Sequence, residues 1–326
     1  MAKRISRKAK RAKRIRFWSL VILSSVLAAF CILVTLSGRL KNPFLPTWQE
    51  LFEMVGLSSG APGEPLDSEL EVHVIDVGNA DSLLIRNGSH AMLIDAGERD
   101  DGETVVSYLR AHGVEKLEMV IATHADADHI GGMKTVIEAL PVEAFLMAYM
   151  PEGSTPTTST YLRLLEALDD KGIAITEASP GASYPLGEAR VDILGPAADF
   201  EEKNNQSVVC KVTFGSRKFL FMGDAEKEAE AALLESGADL SADVLKTGHH
   251  GSSSSTTAKL LTAVHPAGAF ITCGAGNSYG HPHKAVLDRL EEAGVRAFRS
   301  DVHGTIVAVT DGQSLSFTTE KGGAAA

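Results

Sequence analysis

Cysteine is scarce in this chain of 326 residues, which has only three. Cys31 lies inside a long apolar run, so only Cys210 and Cys273 remain, and they are too few and too far apart for a thiolate zinc motif. These two residues form either a single disulfide or two buried free thiols. A metal site in this chain is therefore expected to use nitrogen and oxygen ligands.

Acidic residues are absent from the first sixteen positions, which carry nine lysines and arginines, and no charged residue occurs from Phe17 to Gly38. At about 1.5 Å per residue, a helix over 17–38 spans the roughly 30 Å core of a bilayer. No convincing small-residue cleavage site follows it, so the pattern predicts an uncleaved transmembrane anchor rather than a signal peptide. A buried core helix over 17–38 and a nucleic-acid-binding role for 1–16 are the weaker alternatives.

The positive-inside rule predicts the topology of this anchor. Residues 1–16 form a basic cytoplasmic tail, and the body of the chain, which holds all 42 acidic residues, lies outside the cell membrane. Residues 39–70 are a linker with a short amphipathic helix that begins after Thr47 and is expected to lie on the membrane surface. A domain over 71–319 and a flexible tail over 320–326 follow. No protein partner is evident.

Four ionisable residues occur close together in the sequence His124-Ala-Asp126-Ala-Asp128-His129-Ile-Gly-Gly. This stretch directly follows an apolar run over 117–123, which predicts a buried strand. Four ionisable groups at the end of such a strand are costly to desolvate unless a cation lies among them. With these ligands, the expected metals are zinc, manganese or iron. The alternative, a solvated acidic turn that caps a helix near Met133, accounts for neither the histidines nor the two glycines.

Other His and Asp residues also follow predicted strands. Strands interleaved with helices, in two similar halves, predict a layered α/β sandwich, and loops at the carboxyl ends of its strands converge on one crevice. We therefore expect the following residues to share a site with the loop at 124–129: Asp95, Asp224, His249, His250, His281 and His283.

Residues 71–319 resemble the metallo-β-lactamase fold, whose H-x-H-x-D-H loop is matched at 124–129 except that Asp126 replaces the second histidine. With Asp126 at this position, the loop resembles that of the C-terminal metallohydrolase domain of ComEC-type competence proteins. Five further motifs support this resemblance. Two features differ from that family: its usual Gln-Gly appears as Asn79-Ala80, and the chain has nothing like a multi-helix channel. The supporting motifs lie at 76–82, 204–207, 223–224, 249–252 and 279–283.

The resemblance implies a four-layer αββα sandwich with one or two divalent ions, zinc or manganese. One of His249 and His250 would complete the ligand set, and Asn204-Asn205 stands where the broader fold usually has another histidine. Asp95 would orient the metal loop. The implied ligands are His124, Asp126, Asp128, His129 and Asp224, with Asp224 between two ions. Further supporting or substrate-binding positions are Asn205, Ser207, Lys246 and Tyr279.

Such a site predicts hydrolysis, because a divalent ion lowers the pKa of bound water towards about 7 and so supplies hydroxide. Asp128 would orient this nucleophile, and His281 or the spare histidine would protonate the leaving group. Because Asp126 makes the site harder, a phosphodiester substrate, small or nucleic acid, is favoured. The acidic body argues against this, unless cations such as Lys246 and Lys284 compensate. Hydrolysis of a carboxylic ester, lactone or lactam, and a non-catalytic metal-binding module, are the alternatives.

Overall fold

The computed structural model describes residues 69–150 and 155–322. The predicted basic tail at 1–16, the anchor at 17–38, nearly all of the linker and the last four residues of the tail lie outside these ranges. Within them, no helix combines the length and the apolar character needed to cross a bilayer.

The described residues form fifteen strands and eight α-helices. The strands are β1 (Leu70–Val74), β2 (Leu83–Asn87), β3 (His90–Ile94), β4 (Leu117–Ala122), β5 (Val142–Met147), β6 (Ile175–Glu177), β7 (Ser183–Leu186), β8 (Ala189–Gly195), β9 (Val209–Phe214), β10 (Arg217–Phe221), β11 (Val244–Lys246), β12 (Gly268–Ile271), β13 (Arg296–Arg299), β14 (Ile306–Thr310) and β15 (Leu315–Thr319). The helices are α1 (Gly102–Ala111), α2 (Ala127–Ile130), α3 (Met133–Ala139), α4 (Ser159–Lys171), α5 (Lys227–Glu235), α6 (Ala258–Val264), α7 (Lys284–Glu292) and α8 (Ser300–His303).

These strands build two mixed sheets. The first has eight strands in the order β15-β14-β1-β2-β3-β4-β5-β6, and the second has seven in the order β13-β12-β11-β10-β9-β8-β7. Pairing is parallel from β3 through β6 and from β10 through β13, and antiparallel elsewhere. Each sheet therefore has one block of parallel strands. The loops that carry the predicted site residues follow the carboxyl ends of these two blocks.

Three apolar cores separate four layers. Alternate residues such as Leu83 and Ile85 point into the core between the two sheets, while Leu84 points to the opposite face, as the two-residue period of a strand requires. Helices α1, α3 and α4 cover that opposite face of the first sheet. Helices α5, α6 and α7 cover the outer face of the second. The predicted αββα order is thus present, because every sheet face that carries apolar side chains is buried.

Local capping explains where the longest helix begins and ends. The Thr158 hydroxyl accepts a hydrogen bond from the Tyr161 N–H at the start of α4, and Gly172 follows its last turn with φ +67°. A hydroxyl at the N-cap and a glycine in the left-handed region are the usual signals for these positions.

Three features go beyond what the sequence indicated. β1 and β2 are not joined by a tight turn, because eight residues separate them. The last strands return to the first sheet, where β14 pairs with β1. The choice left open for Cys210 and Cys273 is settled as two buried free thiols.

Candidate metal centre

Loops from both sheets meet at the carboxyl ends of their parallel strands. The loop after β4 reaches across to the second sheet, where the Val208 N–H donates to the Thr123 carbonyl oxygen at 2.8 Å. Gly223, with φ +53°, lies just before Asp224, and a Cβ there would be 3.0 Å from the side chains of Thr123 and Ser207. The two halves of the site are thus held in direct contact.

The metal loop of the sequence analysis is a tight turn that leads into α2. Asp126 stands at the N-cap of α2, but its side chain makes no capping hydrogen bond, so a capping role does not account for it. A Cβ on Gly131 would lie 2.4 Å from the Arg99 nitrogen, and one on Gly132 would lie 2.2 Å from the Ala96 oxygen. The Gly-Gly pair is therefore required by the close approach of two backbone segments.

Four of the predicted residues form a compact group in which one ligand atom of each lies within 4.8 Å of all the others: Asp128, His129, Asp224 and His250. His250 Nε2 is 3.3 Å from Asp128 Oδ2 and 3.6 Å from Asp224 Oδ2, while His129 Nε2 is 3.3 Å from Asp224 Oδ1. At metal–ligand distances of about 2.0–2.2 Å, ligand atoms around one ion are separated by roughly these spacings. We call this group the inner group.

A buried carboxylate orients His129. Its Nδ1 donates to Asp95 Oδ2 at 2.8 Å, and Asp95 accepts two further hydrogen bonds, from the N–H and the hydroxyl of Thr123. Because Nδ1 is engaged in this way, Nε2 is the nitrogen that faces Asp224. Asp95 thus lies where the sequence analysis expected it, behind the loop.

His250 has the same arrangement, built from residues that the sequence analysis left without a role or assigned otherwise. Its Nδ1 donates to the Thr272 carbonyl oxygen at 2.9 Å and lies 3.3 Å from Asp81 Oδ1. Asp81 also accepts a hydrogen bond from the Thr272 hydroxyl and pairs with Lys246 Nζ at 2.8 Å. The Lys246 side chain is fully buried, so it supports Asp81 and is not a cation that a phosphate can reach.

Three more predicted residues surround the other side of Asp224, and we call His124, Asp126 and His249 the outer group. His124 Nε2 is 3.8 Å from Asp126 Oδ2 and 4.0 Å from Asp224 Oδ2, and His249 Nε2 is 3.8 Å from Asp224 Oδ2. Asp126 pairs with Lys203, and both side chains are partly exposed.

The supports of the outer group also come from its neighbours. His249 Nδ1 is 2.7 Å from Glu226 Oε1 and 3.3 Å from the Asn204 amide nitrogen. His124 Nδ1 contacts only hydroxyls, those of Thr123 and Ser207. The Ser207 hydroxyl also accepts the Asp224 N–H, so Ser207 links the two residues.

The buried histidines of the two groups have pKa values shifted in opposite directions. Although burial opposes it, Asp224 and Asp95 raise the pKa of His129 well above its usual value, and Asp224 and Asp81 raise the pKa of His250 to about 9. Burial and the neighbouring His129 instead lower the pKa of His124 to about 4. Despite burial, the histidines hold the pKa of Asp224 well below its usual range.

The residues present fit a divalent cation. Among the buried polar atoms without a hydrogen-bond partner are four that converge here: His124 Nε2, His129 Nε2, His250 Nε2 and Asp224 Oδ1. Native interiors rarely leave such atoms unpaired, and a carboxylate among imidazole nitrogens is a donor set that zinc and manganese accept.

His281 borders the same crevice. Its ring centroid is 5.4 Å from that of His249 and 6.1 Å from that of His250, and Nδ1 is buried without a hydrogen-bond partner. Burial and the charges of His250 and His249 lower the pKa of His281 to about 4. Tyr279, 69% exposed, stacks on the His281 ring.

Three residues named in the sequence analysis have contacts outside the metal centre. Asn205 turns away from the crevice, where its side-chain oxygen accepts the N–H groups of Glu226 and Ala229 at the start of α5. His283 braces a loop: its Nδ1 accepts the Ser253 N–H, and its Nε2 donates to the Tyr279 carbonyl oxygen. Lys284 is exposed and pairs with Asp288.

The sequence analysis missed the functional positions of Asp81, Glu226, Lys203 and Thr272. Asp81 belongs to the motif at 76–82, and an acidic residue just before the apolar strand β2 was a signal that could have marked it. Lys203 lies 77 residues from its partner Asp126, and no local pattern marks it.

Comparison with known proteins agrees with this geometry. Residues 75–274 match the model of the metallo-beta-lactamase superfamily, and the chain belongs to that family. It is 34% identical over 263 residues to ComE operon protein 3 of Bacillus subtilis, which covers 74% of this chain and 33% of the relative. It is 29% identical over 274 residues to competence protein ComA of Neisseria gonorrhoeae, over 80% of this chain and 35% of the relative.

The chain therefore spans about a third of the length of these relatives. The metallo-beta-lactamase fold protein YhfI from Bacillus subtilis has a similar structure, with 13% identity, a TM-score of 0.46, and coverage of 71% of this chain and 95% of the other. The resemblance to ComEC-type competence proteins that the motifs indicated is confirmed.

Proposed function

We propose that this domain is a metal-dependent phosphodiesterase or nuclease. The observation that carries the proposal is the convergence of four buried, unpartnered polar atoms around Asp224, with carboxylates supporting the inner histidines from behind. In this proposal His129, Asp128, His250 and Asp224 would hold one divalent ion. His124, Asp126, His249 and Asp224 would hold a second.

Bound ions would activate water as a nucleophile and stabilise the charge that develops in the transition state. Asp128 has 29% of its side chain exposed, whereas the other three members of the inner group are almost fully buried. It is therefore the carboxylate that reaches an incoming water, and it would orient that water for attack. Burial and the charges of His250 and His249 lower the pKa of His281 to about 4, which favours the neutral ring over the general acid expected from the sequence. In this proposal the ring N–H of His281 would donate a hydrogen bond to the leaving oxygen.

A phosphodiester is the substrate class that the donor set favours. Asp126 gives the outer group an anionic oxygen ligand in place of a histidine, and such hard ligands suit manganese or zinc with phosphate oxygens. The names of two relatives, competence protein ComA of Neisseria gonorrhoeae and recombination protein 2 of Haemophilus influenzae, support a nucleic-acid substrate.

The alternative is hydrolysis of a carboxylic ester, lactone or lactam at the same site. A specific observation favours it: the pocket beside His124 is lined mainly by apolar side chains, among them Met147, Met150 and Phe200. A non-catalytic module is the remaining alternative, and it predicts tight metal binding without turnover.

The test uses the full-length chain with manganese or zinc on single-stranded DNA, a generic phosphodiester and a lactam. We expect turnover of the phosphodiesters, and loss of it in Asp128→Ala, whereas Asp169→Asn, an exposed acid on α4, should behave as the unaltered chain does. Metal content is measured in the same samples. Turnover of the lactam alone supports the alternative, and equal turnover by Asp128→Ala overturns the proposed site.

The proposal includes the membrane anchor at 17–38 and a location of the domain outside the cell membrane. Its support is the sequence alone: an uncharged apolar segment preceded by nine cations. Protease added to intact cells should remove the domain, and full protection of the domain would refute this location.

A further inference from the structure

A pocket opens beside the metal centre, and His124 belongs to both. Counting the space that is open to solvent, it has about 380 Å³ of empty volume. One apolar wall comes from the end of β5 and from described residues that follow it, and the other comes from the loop between β8 and β9. The apolar lining residues are Ala125, Met147, Ala148, Met150, Pro156 and Phe200.

Gln206 holds the two walls together. Its side-chain nitrogen donates to the Tyr149 carbonyl oxygen at 2.8 Å, and its side-chain oxygen accepts the Phe200 N–H at 2.9 Å. Gln206 is only 7% exposed and both ends of its amide are engaged, so two partly buried hydrogen bonds connect the walls of the pocket. The pocket is therefore a built feature of the fold.

The pocket mouth carries a cation next to the metal loop. Lys203 lines the pocket and pairs with Asp126 of the outer group. Glu201 also lines the pocket, so Lys203 and the metal centre are where an anionic group of a substrate would bind. The group joined to that anion would then lie among the methionines and Phe200. An anion joined to a flat apolar group is complementary to this arrangement.

We infer that this pocket binds the nucleobase next to the scissile phosphodiester, an inference that rests on the proposed function. Thioether and aromatic side chains give a base a polarizable surface on which to stack. The Gln206 amide, which could have read the edge of a base, is committed to the walls. The pocket therefore favours nucleotides over phosphodiesters without a base, with little preference among the bases.

The experiment compares two substrates that release the same chromophore: the p-nitrophenyl ester of thymidine 5′-phosphate and methyl p-nitrophenyl phosphate. The full-length chain should prefer the thymidine ester in kcat/KM. Phe200→Ala and Met150→Ala should each reduce that preference by roughly 5- to 150-fold, the range for loss of one base stack, mainly through KM. Leu162→Ala, an exposed apolar residue on α4, is the matched control and should keep the preference.

Binding is measured separately, by calorimetry with a dithymidine methylenephosphonate. In this compound CH2 replaces the bridging oxygen of the scissile bond, so the linkage keeps its negative charge but is not hydrolysed there, and catalysis does not decide the result. Phe200→Leu keeps the bulk of the side chain, and it should weaken this binding less than Phe200→Ala does. Binding that depends on Phe200 without turnover refutes the proposed function and retains the pocket. Equal preference and equal binding in all variants overturn the pocket, as does a Phe200-dependent preference for p-nitrophenyl butyrate over both phosphodiesters.

Discussion

The inner and outer groups on the two sides of Asp224 are built from the same residue types, yet they differ in burial and in support. His129 and His250 are almost fully buried, and each has a buried carboxylate behind it, Asp95 or Asp81. In the outer group, His249 has 26% and Asp126 has 31% of the side chain exposed, and Asp126 is paired with a lysine. His124 is buried but is supported only by hydroxyls.

Because the two groups share residue types but differ in burial and support, we expect them to differ in metal affinity. A carboxylate behind a histidine fixes its ring and raises its basicity. Both histidines of the inner group have such a carboxylate, and it is buried, whereas in the outer group only His249 has one, the partly exposed Glu226. An ion in the outer group would have to compete with Lys203 for Asp126. We therefore expect one tightly bound ion at the inner group and a weaker one at the outer group.

The largest effect should come from the residue that both groups share. Asp224→Asn removes the negative charge that faces His124, His129, His249 and His250, so we expect a fall in kcat/KM of roughly 10³-fold. Metal analysis of the same protein should show that both ions are lost or weakened. A variant that keeps both ions and normal turnover would refute the shared role.

The second effect is a difference in proton release. Because Asp224 and Asp81 raise the pKa of His250 to about 9, an ion at the inner group must displace a proton from that ring at pH 7. The pKa of His129 is raised in the same direction, which adds to the proton release. The affinity of this ion should rise by about tenfold per pH unit for each proton, up to about pH 9. His124, with a pKa of about 4, is already neutral above about pH 5 and releases none.

Calorimetry in two buffers of different ionisation enthalpy measures these protons directly. At pH 7 the first ion should release one to two protons, and an ion at the outer group should release fewer. A first ion that binds at pH 7 without any proton release would contradict the assignment.

Removing the supporting carboxylates should sharpen the comparison further. Asp95→Asn and Asp81→Asn should each weaken the tighter ion by about 10- to 100-fold, since the ring they hold loses its charged partner. Glu226 lies behind the more exposed His249, so Glu226→Gln should lower the affinity of the weaker ion only a few-fold. Competition with a metal-sensing dye distinguishes these outcomes, and a larger loss in Glu226→Gln than in Asp95→Asn would reverse the ranking.

The smallest effect concerns metal preference. Asp126→His restores the more common form of the metal loop and softens the outer group, so the ratio of zinc to manganese affinity at the weaker site should rise several-fold. The inner group keeps its ligands, and its preference should not change. An equal change at both sites would show that the two groups are not separate.

The inner group could be predicted from the sequence because its members follow buried strands, and the carboxyl ends of parallel strands meet at one edge. The supports behind it could not all be found this way. Asp81 and Thr272 are 191 residues apart, and Lys246 looked like a surface cation until its burial against Asp81 was visible. A pairing between distant residues depends on the packed fold, which no local pattern encodes.

Architecture shows the same division. Strand β4 ends within one residue of the apolar run over 117–123 that predicted it, because burial on both faces dictates such a run. Helix α6 has no such signal before it: it follows a run of Ser and Thr residues, and Thr257 caps it by accepting the Leu260 N–H. The pairing of β14 with β1, which places β14 and β15 in the first sheet, joins distant parts of the chain, and the periodicity of a single strand does not predict it.

The most direct test of the account is a metal titration of the full-length chain, with ion content determined by equilibrium dialysis and elemental analysis for manganese and for zinc. The account predicts a tight first ion that Asp128→Ala weakens strongly and Asp126→Ala does not, and a weaker second ion that Asp126→Ala abolishes. Less than about one ion per chain, with His124, His129, His250 and Asp224 all intact, would contradict it.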